Sequence, residues 1–131
     1  MSVVVGYVPR REGETALTHA VQEARSRDTL LVVVNTSRGD ATVDQRYVDD
    51  EQLSALRARL AESGVEHQVV HATRGLEASE EILAVAQEHR AELIVIGLRR
   101  RSPVGKLLMG STAQRVLLDA ACPVLAVKPP R

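Results

Sequence analysis

A chain of 131 residues with 44% hydrophobic and 26% charged side chains has the size and composition of one folded domain, which excludes disorder. Its 17 basic and 17 acidic side chains cancel, and it contains no Phe or Trp. The chain therefore lacks the basic surplus of duplex-binding proteins and the aromatic platforms that stack single-stranded bases, so we expect no nucleic-acid partner. No apolar run approaches the roughly 18 residues of a membrane span, and the single cysteine fits a reducing compartment, so we expect a cytoplasmic protein without a membrane partner.

Five short segments predict strands. The first contains Val3 to Val5, and the second runs from Leu30 to Val34. The third, Val65 to His71, alternates polar and apolar side chains and is typical of an edge strand. The fourth contains Leu93 to Ile96 and the fifth Val124 to Val127. Apart from the third, these continuous apolar runs are typical of strands buried on both faces of a parallel sheet.

Helical patterns occupy the gaps between the strands. Apolar residues recur every three or four positions within Ala16 to Ala24, Leu53 to Leu60, Ala78 to His89 and Ala113 to Ala121. Alternating strands and helices predict an α/β fold, a doubly wound parallel sheet of five strands with helices on both faces and right-handed crossovers. With the polar third strand at one edge, the simplest strand order is 3-2-1-4-5, in a single domain covering residues 1–131.

The fifth strand raises a difficulty, because that order leaves it at the other edge. Val124 to Val127 are too apolar for an uncovered edge, which would promote aggregation. We therefore expect this strand to pair with its own copy in a homodimer. The alternative is that the C-terminal tail, Lys128 to Arg131, or a helix covers it.

The most informative stretch follows the fourth strand. Ligands of open α/β sheets bind beyond the carboxyl ends of the strands, here between strands 1 and 4. The loop that starts at Gly97 is long and carries four basic side chains, Arg99, Arg100, Arg101 and Lys106. It ends at a helix start, where Ser111 and Gln114 form a capping-box pattern behind Gly110. Basic side chains beside open helix amides predict a phosphate site, and the alternative is a solvated basic loop ahead of a capped helix.

Other chemistry is poorly supported. Lys106 is followed by Leu107 and lacks the upstream glycine of a P-loop, and no GxGxxG follows the first strand. His67 and His71 share one face of a strand without cysteine or carboxylate support, so we expect no metal site. The crevice loops offer no general base, so we expect no catalytic residue.

The segment from Ile94 to Lys128 closely resembles the end of universal stress protein domains. The family pattern there is G-x2-G-x9-G-S/T, and Gly97, Gly110 and Ser111 match it at the right spacing. The rest of the chain follows in register. Two positions depart from the nucleotide-binding branch of the family: Arg100 replaces the second glycine, and Val8 replaces an acidic residue after the first strand.

The resemblance implies the 3-2-1-4-5 sheet, a dimer through the last strand and, in one branch of the family, ATP in the crevice. The motif glycines and the Ser or Thr would hold the phosphates, while backbone near the end of the second strand would hold the adenine. The residues expected to contact the ligand are Val34, Asn35, Gly97, Arg99, Arg100, Lys106, Gly110, Ser111 and Thr112.

The leading hypothesis is a stress-associated regulatory binding protein that takes ATP, AMP or a related phosphate ligand, with magnesium only if it accompanies the nucleotide. The alternative is a dimeric interaction module of the same family that binds no nucleotide, a reading favoured by Arg100 and Val8. A slow ATPase is a third hypothesis, for which no general base is evident.

Overall fold

The computed structural model of the protein describes residues 1–36, 50–71, 76–99 and 110–130. Five strands form one parallel sheet: β1 (Ser2–Tyr7), β2 (Leu30–Asn35), β3 (His67–His71), β4 (Ala91–Gly97) and β5 (Val124–Val127). Their order is β3-β2-β1-β4-β5, which confirms the predicted order with the polar third strand at one edge.

Four helices connect the strands in the described part of the chain: α1 (Arg11–Arg27), α2 (Asp50–Ser63), α3 (Ala78–Glu88) and α4 (Ser111–Asp119). Each stands between two strands that run in the same direction, so the chain is a succession of β-α-β units. The predicted fold class is therefore confirmed.

Two apolar cores lie on the two faces of the sheet. Val3 and Val5 of β1 pack on one face with Leu17 of α1 and Leu60 of α2. The intervening residue, Val4, points to the opposite face, where α3 and α4 pack. Successive side chains of a strand alternate between faces, so the apolar runs of the central strands serve both cores. This arrangement buries most residues of the central strands, so the strand ends are the positions accessible to a ligand.

Some element boundaries differ from the predicted ones. The fourth helix ends at Asp119, so Ala120 and Ala121 lie outside it, and Ala120 takes an extended conformation as the chain turns towards β5. His89 caps α3 instead of belonging to it. Sheet pairing beside β2 begins when Glu66 accepts a hydrogen bond from the amide of Leu31, before β3 proper starts.

The second sheet edge is β5, whose first three residues are half-buried. Beyond it, the tail runs to the start of α1, where the guanidinium of Arg11 donates a hydrogen bond to the carbonyl of Pro130. No helix among the described residues is long and apolar enough to cross a membrane.

Candidate functional site

The carboxyl edge of the sheet is where β1 and β4 end and where α1 and α4 begin. The connection from β1 to α1 is very tight. The amide of Arg10 donates to the carbonyl of Val8 over 2.8 Å, and a Cβ on Gly13 would lie 1.8 Å from that carbonyl oxygen. Only glycine fits there, because the obstacle is backbone that cannot move aside. The first turn of α1 is thereby held against the end of β1.

The same helix turn also rests on the end of β4. A Cβ on Gly97 would lie 2.1 Å from the carbonyl oxygen of Glu12. The sequence predicted Gly97 as a ligand contact, and the structure gives it a packing role: it lets α1 sit directly over the junction of β1 and β4. Gly97 therefore sets the depth of the crevice between the two strands, whether or not it touches a ligand.

Arg99 lies at this edge, two residues beyond the last residue of β4. Its Nε is 3.8 Å from Oε1 of Glu12, whose side chain is only 16% exposed. The carboxylate orients the guanidinium without fully neutralising a side chain that is 36% exposed. Glu12 has no place among the residues predicted to line the site, although its position in the first turn of α1 was evident from the sequence.

The start of α4 differs from the prediction. Gly110, in an extended conformation, is the N-cap, and its carbonyl accepts the first helical hydrogen bond from the amide of Gln114 over 3.0 Å. Ser111 is thus the first helical residue, and no side chain among the described residues caps the helix. The predicted capping role of Ser111 is wrong because the helix starts one residue earlier than the capping-box pattern requires.

The start of α4 differs in charge from the starts of α1 and α3. The first turns of α1 and α3 each carry two acidic residues, whereas that of α4 carries none. Amides at a helix start lack helical partners, and the helix dipole adds partial positive charge there. Among the described residues, nothing lies within 4 Å of a Cβ built on Gly110. The start of α4 can therefore accept an anion.

The end of β2 holds the remaining predicted contacts. Val34 and Asn35 are both fully buried, and Asn35 Nδ2 lies 3.4 Å from Nδ1 of His71 at the end of β3. The Oδ1 of Asn35 has no hydrogen-bond partner among the described residues. Thr36, the next residue, donates its amide to the carbonyl of Tyr7 over 3.2 Å. His71, which the sequence suggested to be a surface residue, is thus half-buried beside the predicted adenine position.

A polar network supports this edge from the α1 and α2 side. The hydroxyl of Tyr7 donates to the carboxylate of Glu14, which also pairs with the guanidinium of Arg59. Burial, followed by the neighbouring Glu14 carboxylate, raises the pKa of Tyr7 far above its ordinary value. The sequence pattern gave one hint of this network, because Tyr7 lies two residues after Val5 and therefore points to the same face of the sheet as Val3 and Val5.

The structure therefore brings most of the predicted site residues to one edge of the sheet. Gly97 and Arg99 follow β4, the segment Gly110 to Thr112 starts α4, and Val34 and Asn35 end β2. Arg100 and Lys106 lie outside the described residues. Among the described residues, no group of three or more His, Cys, Asp or Glu side chains is placed to hold a metal ion. The strand order and the position of the crevice make this chain an open, doubly wound α/β protein.

Comparison with known proteins makes the assignment more specific. The model of the universal stress protein family matches residues 1–128. A universal stress protein of Mycolicibacterium smegmatis (strain ATCC 700084 / mc(2)155) is 46% identical over 127 residues, which cover 97% of each chain. The chain belongs to the universal stress protein family.

Solved structures agree with this assignment. The universal stress protein from Archaeoglobus fulgidus superposes with a TM-score of 0.77 at 33% identity, covering 98% of both chains. The structure of the universal stress protein from Archaeoglobus fulgidus in complex with dAMP superposes with a TM-score of 0.74 at 31% identity, again covering 98% of both chains.

Proposed function

We propose that this protein is a stress-associated regulatory binding protein that takes an adenine nucleotide, ATP or AMP, or a related phosphate ligand. The ligand would lie in the crevice at the carboxyl ends of β1 and β4. The observation that carries the proposal is the start of α4, whose amides have no side-chain cap among the described residues and no acidic residue in the first turn. The relative from Archaeoglobus fulgidus that holds dAMP supports the choice of an adenine nucleotide.

The proposal assigns the phosphates to the basic loop and to the helix start behind it. Arg99, already oriented by Glu12, would contribute charge, and the amides of Gly110, Ser111 and Thr112 would contribute hydrogen bonds. Because Ser111 does not cap its helix, its hydroxyl is available to the ligand. Arg100 and Lys106 belong to the same basic loop in the sequence and would add charge, and Gly97 would contact the ligand at the start of that loop.

The adenine would lie at the end of β2, against the backbone of Val34 and Asn35. The buried Oδ1 of Asn35, which has no hydrogen-bond partner in the described part of the chain, is an acceptor of the kind that the amino group of adenine can satisfy. Magnesium would enter only with the nucleotide, since its ligands would be largely phosphate oxygens and water.

We further propose a homodimer joined through β5. The support is the apolar, half-buried edge of Val124 to Ala126, together with a C-terminal tail that runs to the start of α1. A cytoplasmic location is proposed from the single cysteine. Sedimentation of the purified protein over a range of concentrations measures the dimer directly.

Binding is favoured over catalysis because both carboxylates in the first turn of α1 already have partners. Glu12 faces Arg99, and Glu14 is shared by Tyr7 and Arg59. The pairing of Glu12 with Arg99 also favours the second candidate function, an interaction module that binds no nucleotide, because it offsets part of the positive charge at the crevice.

Calorimetric titration of ATP, ADP and AMP, each with and without magnesium, separates these candidates. The sharpest variant pair is Gly110→Asp and Gly110→Asn. Both side chains can cap the start of α4, and a Cβ at this position meets no described residue within 4 Å, so both variants should fold as stably as the natural protein or more so. Only the aspartate places negative charge where the phosphates would lie. We expect the aspartate variant to lose about tenfold or more in affinity and the asparagine variant to lose much less.

Arg99→Ala provides an independent check of the basic loop. Its matched control is Arg115→Ala, which removes an arginine that pairs with Asp119 on the exposed side of α4. Binding that weakens with the first and not with the second supports the crevice. No heat with any nucleotide at millimolar concentration would rule out the sensor and leave the interaction module.

A further inference from the structure

A cavity of about 350 Å³ opens at the amino end of the sheet, between the last turns of α3 and α4. It lies at the opposite end of β4 from the crevice, since α3 and α4 run back towards the edge where β4 and β5 begin. Its volume is at the lower end of the range for small-molecule sites. This cavity is therefore separate from the proposed nucleotide site.

The inner wall of the cavity is apolar. Ala86 and Ile94 belong to the core on the α3 and α4 face, and Ala121 and Cys122 close the cavity from the connection between α4 and β5. Such a wall suits a short hydrocarbon chain, whose burial would remove apolar surface from water on both sides.

Two charged side chains stand at the mouth, and they differ in their partners. The carboxylate of Asp119 is 2.9 Å from Nε of Arg115, and this exposed pair offsets part of its charge. The guanidinium of Arg90 is exposed and makes no hydrogen bond or ion pair with any side chain in the described part of the chain. The mouth therefore carries one uncompensated positive charge, which complements a carboxylate.

The backbone of Arg90 makes its side chain easy to test. Its φ is 52°, in the left-handed region that disfavours residues with a Cβ. Asp28 has nearly the same φ, 51°, where the chain turns after α1, so this conformation belongs to the turn that follows the helix. Glycine can therefore replace Arg90 without backbone strain, which allows the guanidinium to be removed alone.

We propose that this cavity binds a small amphipathic carboxylate, with its hydrocarbon chain against Ala86 and Ile94 and its carboxylate on the guanidinium of Arg90. The inference goes beyond the proposed nucleotide function and does not depend on it. Guanidinium and carboxylate match as a two-pronged hydrogen-bonded pair, which fixes the orientation of the ligand in the cavity.

Cys122 offers a reporter inside the proposed site. It lines the cavity and is the single cysteine of the chain, so any thiol modification reports on this position alone. Burial raises the pKa of its thiol, and the reaction with a thiol reagent is therefore best followed at alkaline pH.

The probes are octanoate, octanol and octylamine, which share one chain and differ in the head group. Each is titrated by calorimetry and tested for its ability to slow the modification of Cys122. We expect octanoate to bind saturably and to protect Cys122, octanol to bind about tenfold more weakly, and octylamine to bind most weakly.

Two variants test the carboxylate contact. Arg90→Gly removes the guanidinium and relieves the left-handed backbone, so it should fold at least as stably while octanoate binding falls about tenfold, to the level of octanol. The matched control is Asp28→Gly, at the end of α1, where φ is 51°. It relieves the same kind of strain away from the cavity and should leave octanoate binding unchanged.

A third variant, Ala121→Leu, fills the cavity and should abolish both octanoate binding and the protection of Cys122. Equal binding of the three probes, or octanoate binding that survives Arg90→Gly, would overturn the proposal. Protection of Cys122 that rises with protein concentration and ignores octanoate would also overturn it, because a second copy of the chain would then cover the cavity.

Discussion

At the carboxyl edge of the sheet, backbone lies against backbone, whereas at the amino edge two helices are followed by residues in a left-handed conformation. Gly13 and Gly97 allow the first turn of α1 to touch the ends of β1 and β4. At the other edge, Asp28 and Arg90 follow α1 and α3 with positive φ although neither is glycine. Gly13 and Gly97 have no room for one added carbon, whereas Asp28 and Arg90 hold strain that a substitution can release.

The two edges therefore constrain the amino-acid sequence to different degrees. At the carboxyl edge, two glycines hold the first turn of α1 against the sheet, and the partly exposed network of Tyr7, Glu14 and Arg59 supports the same edge. At the amino edge the chain only turns from a helix into the next strand, and residues with an unfavourable backbone conformation are tolerated there. Substitutions at the two edges should therefore change stability in opposite directions.

The largest effect is expected for Gly13→Ala and Gly97→Ala. Each added Cβ would meet a backbone carbonyl at 1.8 or 2.1 Å, and α1 would have to move away from the sheet. We expect each variant to lose about 3 kcal/mol of unfolding free energy, measured by urea denaturation.

Gly6→Ala is the matched control at the same edge. Its Cβ would meet the flexible end of Ile82 at 2.7 Å, and a side chain can shift where a backbone cannot. We expect a loss of about 1 kcal/mol. Equal losses for Gly6 and Gly97 would show that the backbone contact is not what makes this edge rigid.

A smaller effect is expected for Tyr7→Phe, which removes the hydroxyl that donates to Glu14. A hydrogen bond to a charged group contributes about 1.5–3 kcal/mol, so we expect a loss of that order at neutral pH. The measurement is the unfolding free energy of the variant against that of the natural protein.

The pH dependence of the same pair sharpens the test. Because the pKa of Tyr7 is raised in the folded protein, its contribution is fully present below the ordinary tyrosine pKa of about 10 and is lost as the pH rises from there towards the folded value. The difference in stability between the natural protein and Tyr7→Phe should therefore shrink at alkaline pH. A difference in stability that stays constant as the pH rises would mean that burial does not raise the pKa of Tyr7.

The smallest effect, and one of opposite sign, is expected at the amino edge for Asp28→Gly. Glycine relieves the left-handed backbone and removes a carboxylate from the negative end of α1, but it also increases the freedom of the unfolded chain. We expect a net gain of about 0.5 kcal/mol, seen as a small rise in Tm. A loss of stability would show that this edge is also tightly constrained.

The fold could be read from the sequence because each element carries its own signal. The apolar run of β4 and the alternating pattern of β3 are each visible over a few consecutive residues. The polar pattern of β3 was enough to place this strand at an edge of the sheet, and the strand order followed from that. Contacts between distant segments leave no such signal. The approach of Glu12 to Gly97 joins positions far apart in the chain, and only coordinates reveal it.

The candidate site was predictable in part for the same reason. The basic loop and the start of α4 are local features, and Arg99 and Gly110 lie where the pattern placed them. The position of Ser111 as the first helical residue, and not the N-cap, was missed because helix starts are hard to place from sequence to within one residue. The partnership of Asn35 with His71, which joins the ends of β2 and β3, was missed because it depends on strand register.

The central position of β1 has a consequence for synthesis on the ribosome. Val3 pairs with Leu31 on one side and with Leu93 on the other, so one edge of β1 stays open until residue 93 has been added. Until then, the nascent chain carries an apolar strand with unpaired backbone groups, the kind of edge that recruits other chains. A message truncated before the codon for Gly97 would therefore yield an aggregating fragment instead of a smaller working domain.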